Sequence, residues 1–232
     1  MEYGLIDGSS RFDAAILAAG DFPKNEIAVD ILRCTTPLLV CDSALTGIID
    51  FNKLLQQRSE PEIAPAAIVG DGDSLPVSLK RKYADKWHQV DEQDYNDLTK
   101  TTRFAISNYK GAKSIAYLGT TGKREDHTIG NLSLMIFYFR EFGLLPTFIT
   151  DYGWFSVAKD KNTFKSFTGQ QVSIFNFDCK TLESEALKWN SYAYKELWQG
   201  TLNEAAGSSF TIDGDGIYVV FRTFDKKEKP KD

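Results

Sequence analysis

The feature that most limits how this chain can fold is an alternation of short apolar runs with helical patterns, repeated five times before Gly143. Residues 14–19 read as a buried strand, and residues 24–34 as a helix with Ile27 and Ile31 four apart. Residues 38–41 form the next strand, and residues 45–57 a helix with Ile48, Phe51 and Leu55 at spacings of three and four. Residues 66–70 are a third strand, followed by a helix that opens at Pro76, where a proline suits the first turn. Residues 87–90 are a fourth strand. The helix after it carries Leu98, Thr102, Ala105, Ile106 and Tyr109 on one face. Residues 114–118 are a fifth strand, and a helix with an expected inner stripe of Ile129, Leu132, Ile136 and Phe139 runs on to about Phe142. Such alternation implies a mostly parallel sheet covered by helices.

After Gly143 the pattern changes. Residues 147–150, 154–157, 163–167, 171–177, 192–197, 208–212 and 217–223 read as short strands between polar or glycine turns, with no helix among them. The expected organisation is therefore α/β over residues 1–145, a Rossmann-like sheet flanked by helices, followed by an all-β sandwich domain over residues 146–232. The charged tail, residues 225–232, is expected to fray.

Composition narrows the function classes. A net charge of −5 argues against non-specific nucleic-acid binding, which needs a basic face. The densest apolar segment, residues 129–139, is too short to span a bilayer, and the first residues lack the basic and apolar regions of a signal peptide. Three scattered cysteines offer neither a disulfide framework nor a zinc motif, so the cytoplasm is the expected location.

The chemistry gathers at the strand ends. Asp42 follows the second strand, Asp71 and Asp73 the third, Asp94 and Asp97 the fourth, and Asp126 the fifth. In a parallel sheet these ends share one edge, where such folds bind ligands. Taken alone, Asp71-Gly72-Asp73 is also an ordinary Asp-Gly turn. Acidic groups after four strands instead suit a hard divalent cation such as Mg²⁺. The loop Gly119-Thr-Thr-Gly-Lys-Arg124 adds the opposite polarity. Gly119, Thr120, Thr121 and Gly122 offer donors, Lys123 and Arg124 add charge, and a helix N-terminus lies behind them. It is not a Walker A loop, since no GK[ST] occurs. Together the two halves read as a polyphosphate site with a bridging metal. Asp126 also fits as a plain helix cap, and His127 as a hydrogen-bonding residue at a helix start. Trp189, Tyr192, Tyr194 and Trp198 are either packing or an aromatic wall for a flat or cationic ligand.

In this order the motifs resemble the thiamine pyrophosphokinase family, from Ala14 to about Phe221. Gly70-Asp-Gly-Asp-Ser74 is similar to its GDxDS, and Glu92-Gln-Asp-Tyr-Asn-Asp97 to its DQxxTD. Gly119 to His127 with Asn131-Leu132 resembles GxxGxRxDHxxxNL, and Ala186-Leu-Lys-Trp189 resembles GLKW. The chain departs from the family in three places: Asp42-Ser43-Ala44 stands for DGG, Asn96 for a threonine, and Leu202-Asn203-Glu204 for SNE.

The resemblance implies transfer of pyrophosphate from ATP to thiamine by a homodimer, with the partner's β domain helping to hold thiamine. It also implies site roles. Asp71, Asp73 and Asp97 would hold Mg²⁺. Arg124, with Lys123, would stabilise developing charge. Gln93, Asp94, Gly119, Thr120, Gly122 and Asp126 would position the nucleotide or the attacking hydroxyl, with Asp42 at the nucleotide edge. Trp198, Leu202, Asn203 and Glu204 would face the thiamine. Two other readings compete: a Mg²⁺-dependent phospho- or nucleotidyl-transferase acting on a different alcohol, and a nucleotide-sensing module without catalysis.

Overall fold

The computed structural model describes residues 1–226 and divides into two compact units, residues 8–150 and residues 1–7 with 151–226. In the first, six strands form one parallel run in the order β7-β6-β2-β3-β4-β5. These are β2 (Ala14–Leu17), β3 (Leu38–Cys41), β4 (Ala67–Gly70), β5 (Trp87–Gln89), β6 (Ser114–Leu118) and β7 (Leu145–Ile149). The label β1 belongs to Glu2–Tyr3. Strands β2, β3 and β4 are buried at every position, as continuous apolar runs in a sheet covered on both faces should be. The connecting helices are α1 (Glu26–Cys34), α2 (Leu45–Gln57), α3 (Val77–Lys82), α4 (Asp97–Asn108) and α5 (Glu125–Phe142). Local chemistry starts and stops them. The Asn25 and Asn96 side chains accept the Ile27 and Thr99 amides at the starts of α1 and α4, and Gly143 closes α5 in the left-handed conformation.

The strand order fixes where a ligand can sit. From β2 the chain steps one way to β3, β4 and β5, then returns to the other side of β2 as β6 and β7. The reversal leaves a crevice beyond the C-terminal ends of β2 and β6, the switch point of such a sheet.

The second unit is a β-sandwich. One sheet runs β1-β9-β13-β11, and the other contains β12-β10-β14-β8. These strands are β8 (Gly153–Lys159), β9 (Asn162–Lys165), β10 (Gln170–Asn176), β11 (Leu182–Glu185), β12 (Asn203–Glu204), β13 (Ser209–Gly214) and β14 (Ile217–Lys226). Side chains from both sheets share one core. Phe164 and Phe210 stack at 5.2 Å over Val172, Ile174, Tyr218 and Val220. Each large apolar side chain buried in this way is worth about 1.5–3 kcal/mol.

The structure differs from the sequence reading in several places. The strand expected at 147–150 is β7, which pairs in parallel with β6 and belongs to the first unit, so the units divide after Thr150 rather than at 145. Glu2–Tyr3 joins the sandwich by pairing with β9. Residues 192–197 are not a strand. Glu196 and Gln199 form a capping box there, opening a single 3₁₀ turn at Leu197–Gly200. The strand lies instead at β11, where Leu182 alone is buried among Glu183, Ser184 and Glu185, too polar a segment to read as a strand. On α5 the buried residues are Met135, Ile136 and Tyr138, whereas Ile129 is 70% exposed. Eighteen helical residues span about 27 Å and the five of β6 only about 17 Å, so the first turns of α5 outrun the strand. Of the expected tail, Asp225 and Lys226 belong to β14, and residues 227–232 lie outside the described residues.

Candidate active site

At the switch point the loop after β2 and the loop after β6 are laced together. The Ala18 amide donates to Leu118 O at 2.8 Å, Gly20 to Gly119 O at 2.7 Å and Asp21 to Thr121 O at 2.9 Å. Gly119 has φ +64°, and a Cβ there would lie 2.4 Å from Ala18 O, so only glycine permits the approach. The Lys123 ammonium donates to Ala19 O at 2.7 Å, and Asn131 donates to Thr120 O at 2.8 Å. Beside this lacing opens a cleft of ≈ 350 Å³. Asp97, Thr120, Gly122, Lys123 and Arg124 line it, with His127 and Asn131 from α5. The Thr120 hydroxyl is buried and has no hydrogen-bond partner among the described residues. Arg124 is exposed and grips Asp126 with two bonds, at 2.6 and 3.1 Å, which raises the guanidinium's pKa and lowers the carboxyl's.

The acidic residues separate into layers. Asp42 is fully buried, and its carboxylate accepts the Ser43 amide and, at 3.0 Å, the Gly72 amide. It does not line the cleft; it ties the end of β3 to the turn after β4. In that turn Asp71 accepts the Asp73 amide at 3.1 Å, the main reason its pKa is lowered. Asp73, Gln93 and Asp94 are exposed. Asp97, in the first turn of α4, is pushed up by burial and by the Asp42 charge, against the pull of Lys100.

Lys100 was missed in the sequence. Its side chain is 2% exposed, and its ammonium lies 3.3 Å from Asp71 Oδ2 and 3.3 Å from Asp97 Oδ1. Burial lowers its pKa, but the two carboxylates outweigh that and hold it above the ordinary value. A lysine three residues past an aspartate reads as a solvated helix pair; the periodicity of α4 places Thr102 inside but does not signal that Thr99, Lys100 and Thr101 are buried as well. Among the described residues, no three His, Cys, Asp or Glu side chains stand close enough together to enclose a metal ion. The donor set still suits one that completes its shell with phosphate and water. Asp71 and Asp97 both meet the Lys100 ammonium, and both keep partial exposure, at 21% and 33%, which leaves carboxylate surface for a metal to reach.

The sandwich unit has its own cleft of ≈ 350 Å³. Trp189, Tyr192, Tyr194, Leu202 and Asn203 line it, whereas Trp198 and Glu204 do not. Asn203 is buried and clamps the Trp189 backbone, donating to its carbonyl at 2.8 Å and accepting its amide at 3.2 Å. Leu202 is 69% exposed with φ +63°, a strained conformation for leucine. Trp198 is 72% exposed, and Glu204 pairs with Lys188 at 3.6 Å.

Comparison with known proteins agrees with both units. Residues 31–144 match the family model described as thiamin pyrophosphokinase, catalytic domain, and residues 153–221 match thiamin pyrophosphokinase, substrate-binding domain. A sequence search of curated proteins finds no match. Among solved structures, the chain is similar to thiamin pyrophosphokinase from Candida albicans, with TM-score 0.74, 15% identity, and coverage of 97% of this chain and 92% of that one. The yeast thiamin pyrophosphokinase gives TM-score 0.76 at 14% identity, covering 96% and 91%. The Bacillus subtilis thiamine pyrophosphokinase gives 0.71 at 19%, covering 93% and 100%. At such identities the likeness bears on the fold, and the two family models carry the rest. The chain belongs to the thiamin pyrophosphokinase family and is an enzyme that pyrophosphorylates thiamine.

Proposed function

We propose that the donor is ATP and that thiamine's primary alcohol attacks its β-phosphorus. The new bond joins the thiamine oxygen to that phosphorus, and the bond to the α,β-bridging oxygen breaks. Thiamine diphosphate and AMP leave. The observation that carries this reading is a single cleft at the β2/β6 switch point lined both by Asp97 and by the loop at 120–124.

On this reading the triphosphate lies against Gly119, Thr120 and Gly122, at the N-terminus of α5, where amides and helix dipole favour anions. Arg124 and Lys123 stabilise charge on the transferring group. The exposed Arg124–Asp126 pair is worth little by itself, so a phosphate can take over the guanidinium. Asp71, Asp73 and Asp97 would hold Mg²⁺, whose chemistry there is neutralisation of phosphate oxygens. Gln93 and Asp94 flank the nucleotide, and Asp42 acts through the turn it fixes. The sandwich cleft takes thiamine, whose cationic thiazolium suits Trp189 and the neighbouring tyrosines. Leu202 and Asn203 shape that cleft, with Trp198 and Glu204 at its margin. The exposed Trp198, Leu197 and Leu202 support assembly as a homodimer. Three free cysteines support a cytoplasmic setting.

Incubation with ATP, Mg²⁺ and thiamine tests the reading. AMP and thiamine diphosphate are the expected products; ADP with thiamine monophosphate would overturn it. Membership in the family leaves the competing readings, another acceptor alcohol or a silent nucleotide sensor, without support.

A further inference from the structure

We infer that Lys100 is a built-in counter-ion, a positioning residue that neutralises Asp71 and Asp97 while no divalent ion is bound and weakens the site for a bare ion, so that metal enters together with phosphate. The inference rests on reading Asp71 and Asp97 as metal ligands.

Burial and distance carry it. The Lys100 side chain is 2% exposed, whereas those of Asp71 and Asp97 are 21% and 33% exposed. The ammonium thus meets the carboxylates from the protein side, and solvent reaches them from the other. It lies 3.3 Å from one oxygen of each. Asp42, fully buried and bonded to the Gly72 amide next to Asp71, adds a third negative charge to the same neighbourhood. Three carboxylates gathered in this way repel one another. One buried ammonium offsets part of that repulsion and lets the folded chain stand without metal.

The same charge opposes any second cation. A unit charge a few ångströms from both ligands costs an arriving Mg²⁺ far more than the looser aim of two untethered carboxylates would, so charge outweighs preorganisation. A triphosphate brings its own negative charge and reverses the balance. Free Mg²⁺ is therefore held weakly and the Mg²⁺–nucleotide complex well.

Mn²⁺ binding without nucleotide, followed by electron paramagnetic resonance, tests this on the full chain. Lys100→Met should bind free Mn²⁺ at least about tenfold more tightly than the unaltered protein. It should also unfold at a lower temperature in EDTA and recover with millimolar Mg²⁺, whereas the unaltered protein should barely respond to Mg²⁺ alone. A lysine that merely packs would leave Mn²⁺ affinity unmoved. Lys100→Gln carries the same expectation should the methionine variant not fold. Unchanged or weaker Mn²⁺ binding in the neutral variant overturns the inference. Asp71→Asn, measured as Mn²⁺ binding in the presence of a non-hydrolysable ATP analogue, separates the two levels. If it weakens that binding while Lys100→Met fails to tighten free Mn²⁺, the counter-ion role alone falls; if it changes nothing, the metal assignment falls with it.

Discussion

The Asp42 carboxylate accepts the Gly72 amide at 3.0 Å from the neighbouring strand end, fully shielded from solvent. Its other oxygen takes the Ser43 amide. Two backbone donors therefore depend on one side chain, and the gap is tight: a Cβ on Gly70 would lie 2.7 Å from Asp42 Cγ. Asp42→Ala should lower stability by about 2–3 kcal/mol, because it strands both amides. Urea unfolding at neutral pH measures the loss.

Asp73 behaves in the opposite way. It is exposed, on the turn that Asp42 steadies. Asp73→Asn should leave the unfolding midpoint within about 0.5 kcal/mol of the parent, as surface changes do. It should cut kcat by about a hundredfold or more if this carboxylate helps hold the metal on the phosphates. Paired unfolding and steady-state kinetics check both halves, and a fully active variant would remove Asp73 from the metal set.

Gly119 allows the loops after β2 and β6 to approach. With φ +64° and backbone at 2.4 Å from a would-be Cβ, Gly119→Ala has no flexible neighbour to push aside. It should cost about 1–3 kcal/mol, with weaker binding of a non-hydrolysable ATP analogue. Thermal unfolding with and without the analogue separates the two effects.

Much of this was legible because burial here is written in plain residue types. Ala14–Leu17, Leu38–Cys41 and Ala67–Gly70 are wholly apolar or small, and the last two run directly into Asp42 and Asp71. What stayed hidden was direction. Asp42 and Asp73 look alike in sequence, yet one turns inward to satisfy amides and the other faces solvent. Lys100 hides for the same reason: a buried lysine is made by tertiary neighbours, not by periodicity. The aromatic run before Trp198 has strand propensity but is drawn into the wall of a cleft, and polar β11 supplies the missing strand through pairing with β13.

The base of the parallel sheet carries a pH dependence. One Asp13 oxygen accepts the Lys113 and Ser114 amides, each at 2.9 Å, and these bonds lower its pKa. A carboxyl whose folded pKa lies below its unfolded value of about 3.9 adds stability above that value and loses it as pH falls through the folded pKa. The stability difference between the parent and Asp13→Ala should be full at pH 7 and shrink steadily below about pH 4. Urea unfolding across that range measures it; a difference that grows on acidification would contradict the assignment.

Asn203 tests the division of labour between the two clefts. Its amide makes three backbone bonds, two to Trp189 and one from Glu204 N at 2.8 Å, so it fixes the aromatic wall beside it. It is itself 4% exposed, which makes its effect on a ligand indirect. Asn203→Ala frees Trp189 without removing any group from the Asp97–Arg124 cleft. KM for thiamine should rise about tenfold while KM for ATP changes less than about twofold. Equal increases in both constants would mean that the variant had loosened the whole chain. An unchanged thiamine KM would mean that thiamine does not rest on the Trp189 wall.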